Sequence, residues 1–272
     1  MKNIIGVIQG RLSRSEELMF FPTDTWEKEF ESARKVGFDA IEWAFCEKDY
    51  KKNPILSENG VAKIQSRMQK YKIQIPSIFA YFFIDSGFTG IAAKSSYMLN
   101  KLIEQGSKIG AERILIPFLG DSEIKNQKEK NEIVKNLKPC LKKAESFNIE
   151  LAFETSLGAA ELLEFVEQFK HPLVKVYYDT GNRTTFVGSK VSQEIKELKN
   201  LISGMHIKDR KFGETASYPL GEGEVSFSEV FKALGEIKFA GPLILEAARV
   251  ADIDEITLNK KYLNIINKFI KI

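Results

Sequence analysis

The stretch IELAFETSLGAAELLEFVEQFKHPLVKVYYD, residues 149–179, decides the fold. It opens on the apolar run IELAFE (Ile149 to Glu154) and closes on a second, VKVYYD (Val174 to Asp179), with a longer stretch of helical character between them. Neither run alternates apolar with polar positions. A strand covered by helices on both faces has that near-continuous hydrophobicity, whereas a half-exposed strand alternates. Both runs end on a carboxylate.

Outward from this unit the same pattern recurs. Upstream lie IIGVI (Ile4 to Ile8), FDAIEWAF (Phe38 to Phe45), IQIPSIFAYF (Ile73 to Phe82) and ERILIPF (Glu112 to Phe118); downstream lie LISGMHI (Leu201 to Ile207) and PLILE (Pro242 to Glu246). Between the first two, Trp26, Phe30, Ala33 and Val36 recur at helical spacing, with Thr23 and Asp24 as candidate caps and Gly37 as a C-terminal stop. The segments SARKVGFDAIE, GSKIGAERILI, AESFNIELAFE and LGEIKFAGPLILE each read as helix end, tight link and strand. A βα unit repeated eight times predicts an α/β chain forming one (β/α)₈ TIM barrel with parallel strands. An open doubly wound sheet is disfavoured, because no strand leads into GxGxxG or GxxxxGK[ST].

The length of 272 residues suits one such barrel, which takes about 250. No linker rich in Pro, Gly or Ser divides the chain, so residues 1–272 are expected to form a single domain, with Asp121 to Lys130 as a long loop or helix approach. A composition 43% hydrophobic and 28% charged is that of a soluble globular protein. The run Ile4 to Ile8 is too short for a signal or a membrane span, which makes the expected location cytoplasmic. A net charge of +3 without a basic stripe argues against nucleic acid. Cys46 and Cys140 lie far apart, outside any CxxC pair, and are expected to be bystander thiols.

Barrel active sites form where strands end, so charged residues at those ends point to function. Glu42, Glu154, Asp179, His206 and Glu246 hold such places. Several carboxylates and an imidazole converging on a divalent cation offset one another's burial cost. Glu154, Asp179, His206 and Glu246 are therefore the expected ligands of one divalent metal. Their oxygen-rich set suits Mn²⁺ first, with Mg²⁺, Co²⁺ and Zn²⁺ as the other choices. The competing reading has these residues in rim salt bridges with Lys208, Arg210 or Arg249, and His206 as a satisfied core histidine. His171, in KHPLV, falls at the opposite end and reads as a surface residue.

The fragments FETS, DTGN, HIKDR, PLGEGEVSF and ILEAAR, in this order, resemble the sugar isomerase and epimerase branch of the xylose-isomerase-like barrels. That resemblance implies metal ligation by Glu154, Asp179, His206 and Glu246, with Glu154 and Glu246 also serving as acid and base. It further implies proton abstraction and return through a metal-stabilised enediolate on a ketose or ketose phosphate, closest in motif to the pentulose-5-phosphate 3-epimerases. Free-ketose epimerases commonly carry a histidine where this chain has Asn182, which tilts the expectation toward a phosphorylated substrate.

Candidate substrate contacts are Glu42, Asn182, Lys208, Arg210, Arg249, the Gln9-Gly10-Arg11 turn with Arg11 foremost, and the Gly221 to Gly223 loop. Phe79, Tyr81 and Phe82 read chiefly as packing, with pocket walls as the second choice. The alternatives are an inosose-type dehydratase on the same site and a catalytically silent sugar-binding homologue. The related apurinic endonuclease needs several histidines and a basic groove, which two histidines and +3 do not supply. The expected partner is a small sugar or sugar phosphate, and a homo-oligomer is the weaker expectation.

Overall fold

The computed structural model describes residues 3–17 and 19–270. Eight parallel strands close into a barrel in sequence order: β1 (Ile5–Ile8), β2 (Ala40–Ala44), β3 (Ser77–Phe79), β4 (Arg113–Phe118), β5 (Glu150–Thr155), β6 (Val174–Asp179), β7 (Ile202–Ile207) and β8 (Leu243–Leu245). The ring is sealed where Gly6 of β1 pairs with Ile244 of β8. Gly6 permits this closure, since a Cβ there would stand 2.7 Å from the Ile244 side chain and 2.9 Å from the Ala40 carbonyl.

Strand alternation divides the core into two layers. Val7, Ile41, Ile114, Leu151, Val176, Met205 and Leu245 pack outward against the helices, while Ile8, Phe79, Leu115, Ala152, Tyr177 and Ile244 fill the barrel interior. Gly204 makes room inside that second layer. A Cβ at this point of β7 would meet the Tyr177 ring at 2.4 Å, so the ring lies across the strand only because the residue is glycine.

The helix Trp26–Val36 buries Trp26, Phe30, Ala33 and Val36, the face its spacing predicts, and ends at Gly37 with φ 106°. Its start differs from expectation. Thr25 occupies the cap position without a capping side-chain bond, because its hydroxyl is engaged by Ser13 at 2.8 Å. The third strand is much shorter than the apolar run from Ile73 to Phe82: Pro76 has no N–H to give a ladder, and Phe82 already opens the short helix Phe82–Asp85. Residues 121–130 are part loop and part helix, since Asn126 caps the helix Gln127–Phe147 by accepting from the Glu129 amide. Cys46 and Cys140 are free and buried. Among the described residues no helix is long and apolar enough to cross a membrane.

Candidate metal centre and active site

Glu154, Asp179, His206 and Glu246 meet at the C-terminal mouth of the barrel, and none is more than 4% exposed. Register sets their levels: Asp179 pairs with His206, His206 pairs with Ile244, and Glu246 follows two residues beyond Ile244. One ligand atom from each of Glu154, Asp179 and His206 lies within 4.8 Å of the other two. Glu246 is beside this trio rather than free within it. Its Oε1 accepts from Lys208 Nζ at 2.7 Å, and its Oε2 stands 2.9 Å from His206 Nδ1.

Asn182 is brought in by the start of the helix Thr180–Val187. Asp179 caps that helix by accepting from the Asn182 amide at 2.7 Å, and the Asn182 side chain donates Nδ2–H to Glu154 Oε1. Those bonds leave a specific remainder. Glu154 Oε2, Asp179 Oδ2, Asn182 Oδ1 and His206 Nδ1 are all buried without a hydrogen-bond partner. Buried acceptors are normally satisfied, and each orphan costs about 1–3 kcal/mol. A cation is the group that satisfies several at once.

The charge balance points the same way. Glu42, Glu154, Asp179 and Glu246 form a buried set of carboxylates, opposed by Lys208 and Arg11. With His206 neutral, two negative charges remain uncompensated, the complement of one divalent ion.

Burial and mutual charge shift the proton affinities of the cluster. Burial first, and then the nearby Asp179 carboxylate, push Glu154 up to about 8. Burial alone would lower His206, but the Glu42 and Glu246 carboxylates outweigh it and hold the imidazole well above its ordinary range. Burial would raise Glu246, yet Lys208, His206 and Arg11 together hold it well below the usual carboxylate range. The two glutamates, three strands apart around the ring, thus differ in their hold on a proton.

The other expected contacts separate into three kinds. Lys208 is buried against Glu246 and 3.7 Å from Asp179, and Arg11 lies 3.9 Å from Glu246 while donating Nε–H to the Ala247 carbonyl. Arg210 is half-buried near Lys208, and its Nε has no hydrogen-bond partner among the described residues.

Arg249 spends its guanidinium on the carbonyls of Gly10 and Ser13, at 2.6 and 2.9 Å, so it braces the loop after β1. The Gly221 and Gly223 amides are likewise engaged. Both donate to Asp209, at 2.8 and 3.1 Å, so these candidate phosphate donors are already paired within the chain.

Glu42 lies deeper than the other candidate contacts. It lies in the middle of β2 with no exposed surface, and its carboxylate is bonded by Ser77, Tyr177 and His206, so it faces the barrel interior rather than the open mouth. Phe79 packs inside the barrel and Phe82 is fully buried, while Tyr81 is only partly buried over the interior layer. His171 sits in the loop before β6, where its Nδ1 accepts from the Leu173 amide at 3.3 Å. Sequence reading missed Ser77 and Tyr177, although a polar residue at an inward position of an apolar strand was a visible signal in each case.

The fold and this strand-end cluster define a class. The model of the xylose isomerase-like TIM barrel family matches residues 30–263, and the chain belongs to that family. Within it, the chain is 23% identical over 239 residues to the Escherichia coli (strain K12) protein named "Putative L-ribulose-5-phosphate 3-epimerase SgbU", a match covering 82% of this chain and 83% of that protein. The structure of an L-ribulose 3-epimerase superposes with a TM-score of 0.79 at 18% identity, covering 99% of this chain and 95% of the other. The IolI protein with a binding zinc atom gives a TM-score of 0.76 at 17% identity over 99% of both chains. At these identities the two structures establish the shared fold.

Proposed function

We propose that this chain is a divalent-metal-dependent isomerase or epimerase of a ketose or ketose phosphate, with Glu154 and Glu246 as its acid–base pair. The observation that carries the reading is the set of orphaned buried ligand atoms on Glu154, Asp179 and His206, with the unlike carboxyl of Glu246 alongside. These residues fit a divalent ion, Mn²⁺ first, with Glu246 as fourth ligand. Such an ion supplies positive charge that offsets the negative charge of an enediolate.

The protein's own groups supply the proton transfers. Epimerisation needs removal of a proton from one face of the substrate and return from the other, and carboxyls on β5 and just after β8 approach from different sides of the ring. Lys208 keeps Glu246 ionised and able to accept a proton. Asn182 holds Glu154 Oε1, which leaves Oε2 for ligation and proton transfer. Arg210, half-buried near Lys208 and with no partner for its Nε among the described residues, is the candidate to meet an anionic group on the substrate. A phosphorylated pentulose is supported by the name of the E. coli relative and by Asn182 in place of histidine.

The test is a panel of ketoses, ketose phosphates and inosose incubated with the Mn²⁺-loaded protein in D₂O and followed by NMR. Deuterium at the carbon next to the carbonyl, accompanied by an epimeric or isomeric product, is the expected outcome. A dehydrated ketone would instead assign the site to β-elimination. Absence of exchange with every ketone would leave a binding protein and overturn the proposal.

A further inference from the structure

We infer that Glu42 is a positioning residue for the metal-ligating imidazole: buried beneath His206, it fixes Nε2 as the protonated nitrogen and turns Nδ1 toward Glu154 and Asp179. This rests on the metal-site reading above and extends it to residues below the mouth, inside the barrel.

Glu42 points inward at the level of Ile8, where an unpaired carboxylate would be very costly to bury. It is fully engaged instead. Oε1 accepts from Ser77 Oγ and Tyr177 OH, each at 2.6 Å, and Oε2 is bonded to His206 Nε2. Ser77 and Tyr177 arrive from β3 and β6, so the carboxylate is held from different strands and cannot swing without breaking both bonds.

The imidazole is constrained as well. The rings of Tyr177 and Phe79 stand against it at centroid distances of 4.8 and 5.3 Å, both edge-on. Gly204 admits the Tyr177 ring to its place, since any larger residue would collide with it. A carboxylate bonded to one ring nitrogen fixes both the tautomer and the ring plane, leaving the other nitrogen as ligand. His206 Nδ1 faces the mouth, 2.9 Å from Glu246 Oε2 and 3.8 Å from Asp179 Oδ2, and makes no bond of good hydrogen-bonding geometry with either.

The test measures Mn²⁺ affinity by calorimetry on metal-stripped wild type, Glu42→Gln and Tyr177→Phe, with circular dichroism confirming the fold. Glu42→Gln is expected to bind about 10- to 100-fold more weakly, the usual effect of losing the partner of a ligating histidine. Tyr177→Phe, which loosens Glu42 without touching the His206 hydrogen bond, is expected to lose several-fold, and it serves alone if Glu42→Gln does not fold. In Zn²⁺-loaded protein labelled with ¹⁵N-histidine, His206 is expected to carry its proton on Nε2; His171→Gln removes the only other histidine signal. Wild-type affinity in both variants, or a proton on Nδ1 in the loaded protein, overturns the positioning role while leaving the metal site standing. Failure of wild type to bind Mn²⁺ or Zn²⁺ overturns both.

Discussion

Glu154→Gln and Glu246→Gln are each expected to lower kcat by about 10²- to 10⁴-fold, the range of a single general acid or base, with the fold retained. Glutamine keeps the shape of each side chain and an oxygen that can still ligate, but it cannot carry the transferred proton. The expected signature is a loss in kcat exceeding any rise in KM, measured on whichever ketose exchanges deuterium. Asymmetry is also expected between the variants in D₂O. A variant lacking the abstracting carboxyl should fail to exchange at all, while one lacking only the returning carboxyl should still exchange without completing epimerisation. Undiminished turnover in either would remove that glutamate from the chemistry.

The second large effect concerns stability. Arg183 donates Nε–H and Nη2–H to the two oxygens of Glu194, at 2.9 and 2.8 Å, and Nη1–H to the Ser156 carbonyl at 3.0 Å, with both side chains under 10% exposed. Tyr178 adds its hydroxyl to Glu194 at 3.1 Å. Arg183 thus ties the helix carrying Asn182 to Ser156, just past β5, and through Glu194 to the helix Val191–Glu197, supporting the site from outside the ring of strands. Glu194→Leu leaves a buried guanidinium without its counter-charge and is expected to cost about 3–5 kcal/mol. Urea unfolding would read this as a lower midpoint at an unchanged slope. The double replacement Arg183→Met, Glu194→Leu is expected to recover much of the loss, because removing both charges removes the desolvation cost along with the attraction. A loss below about 1 kcal/mol for Glu194→Leu would mean that Arg183 finds another partner or reaches water.

Much of the barrel is legible in the sequence because its strands are buried on both faces, and eight unalternating apolar runs fit few folds besides a parallel sheet layered with helices. The four residues at the mouth are legible for a related reason: a charge closing an apolar strand has no packing role to play. What lies beneath them is less visible. Glu42 sits within an apolar run rather than at its end, and its partners Ser77 and Tyr177 are 35 and 135 residues away in sequence. Only the register of the closed barrel brings them together. The same limit applies to the glycines of the GEG segment, whose amides could meet a phosphate or a neighbouring carboxylate. Asp209 of the same chain takes them, and a Cβ at Gly223 would come 2.2 Å from its Oδ1. The Arg183–Glu194 pair, eleven residues apart, spans two short helices that no periodicity sets side by side.

The central claim is that Glu154, Asp179, His206 and Glu246 hold one divalent ion, and titration of Mn²⁺ into metal-stripped protein by calorimetry tests it most directly. The expected result is one ion per chain. Binding should be lost in Asp179→Ala, which removes an orphaned ligand oxygen, and should be unaffected by changing a surface carboxylate such as Glu236. Glu154 and His206 must each give up a proton to ligate, so affinity should increase as pH rises through about 8, with protons released to the buffer on binding. Folded, metal-stripped wild-type protein that takes up no Mn²⁺, or that binds it equally well without Asp179, would contradict the account.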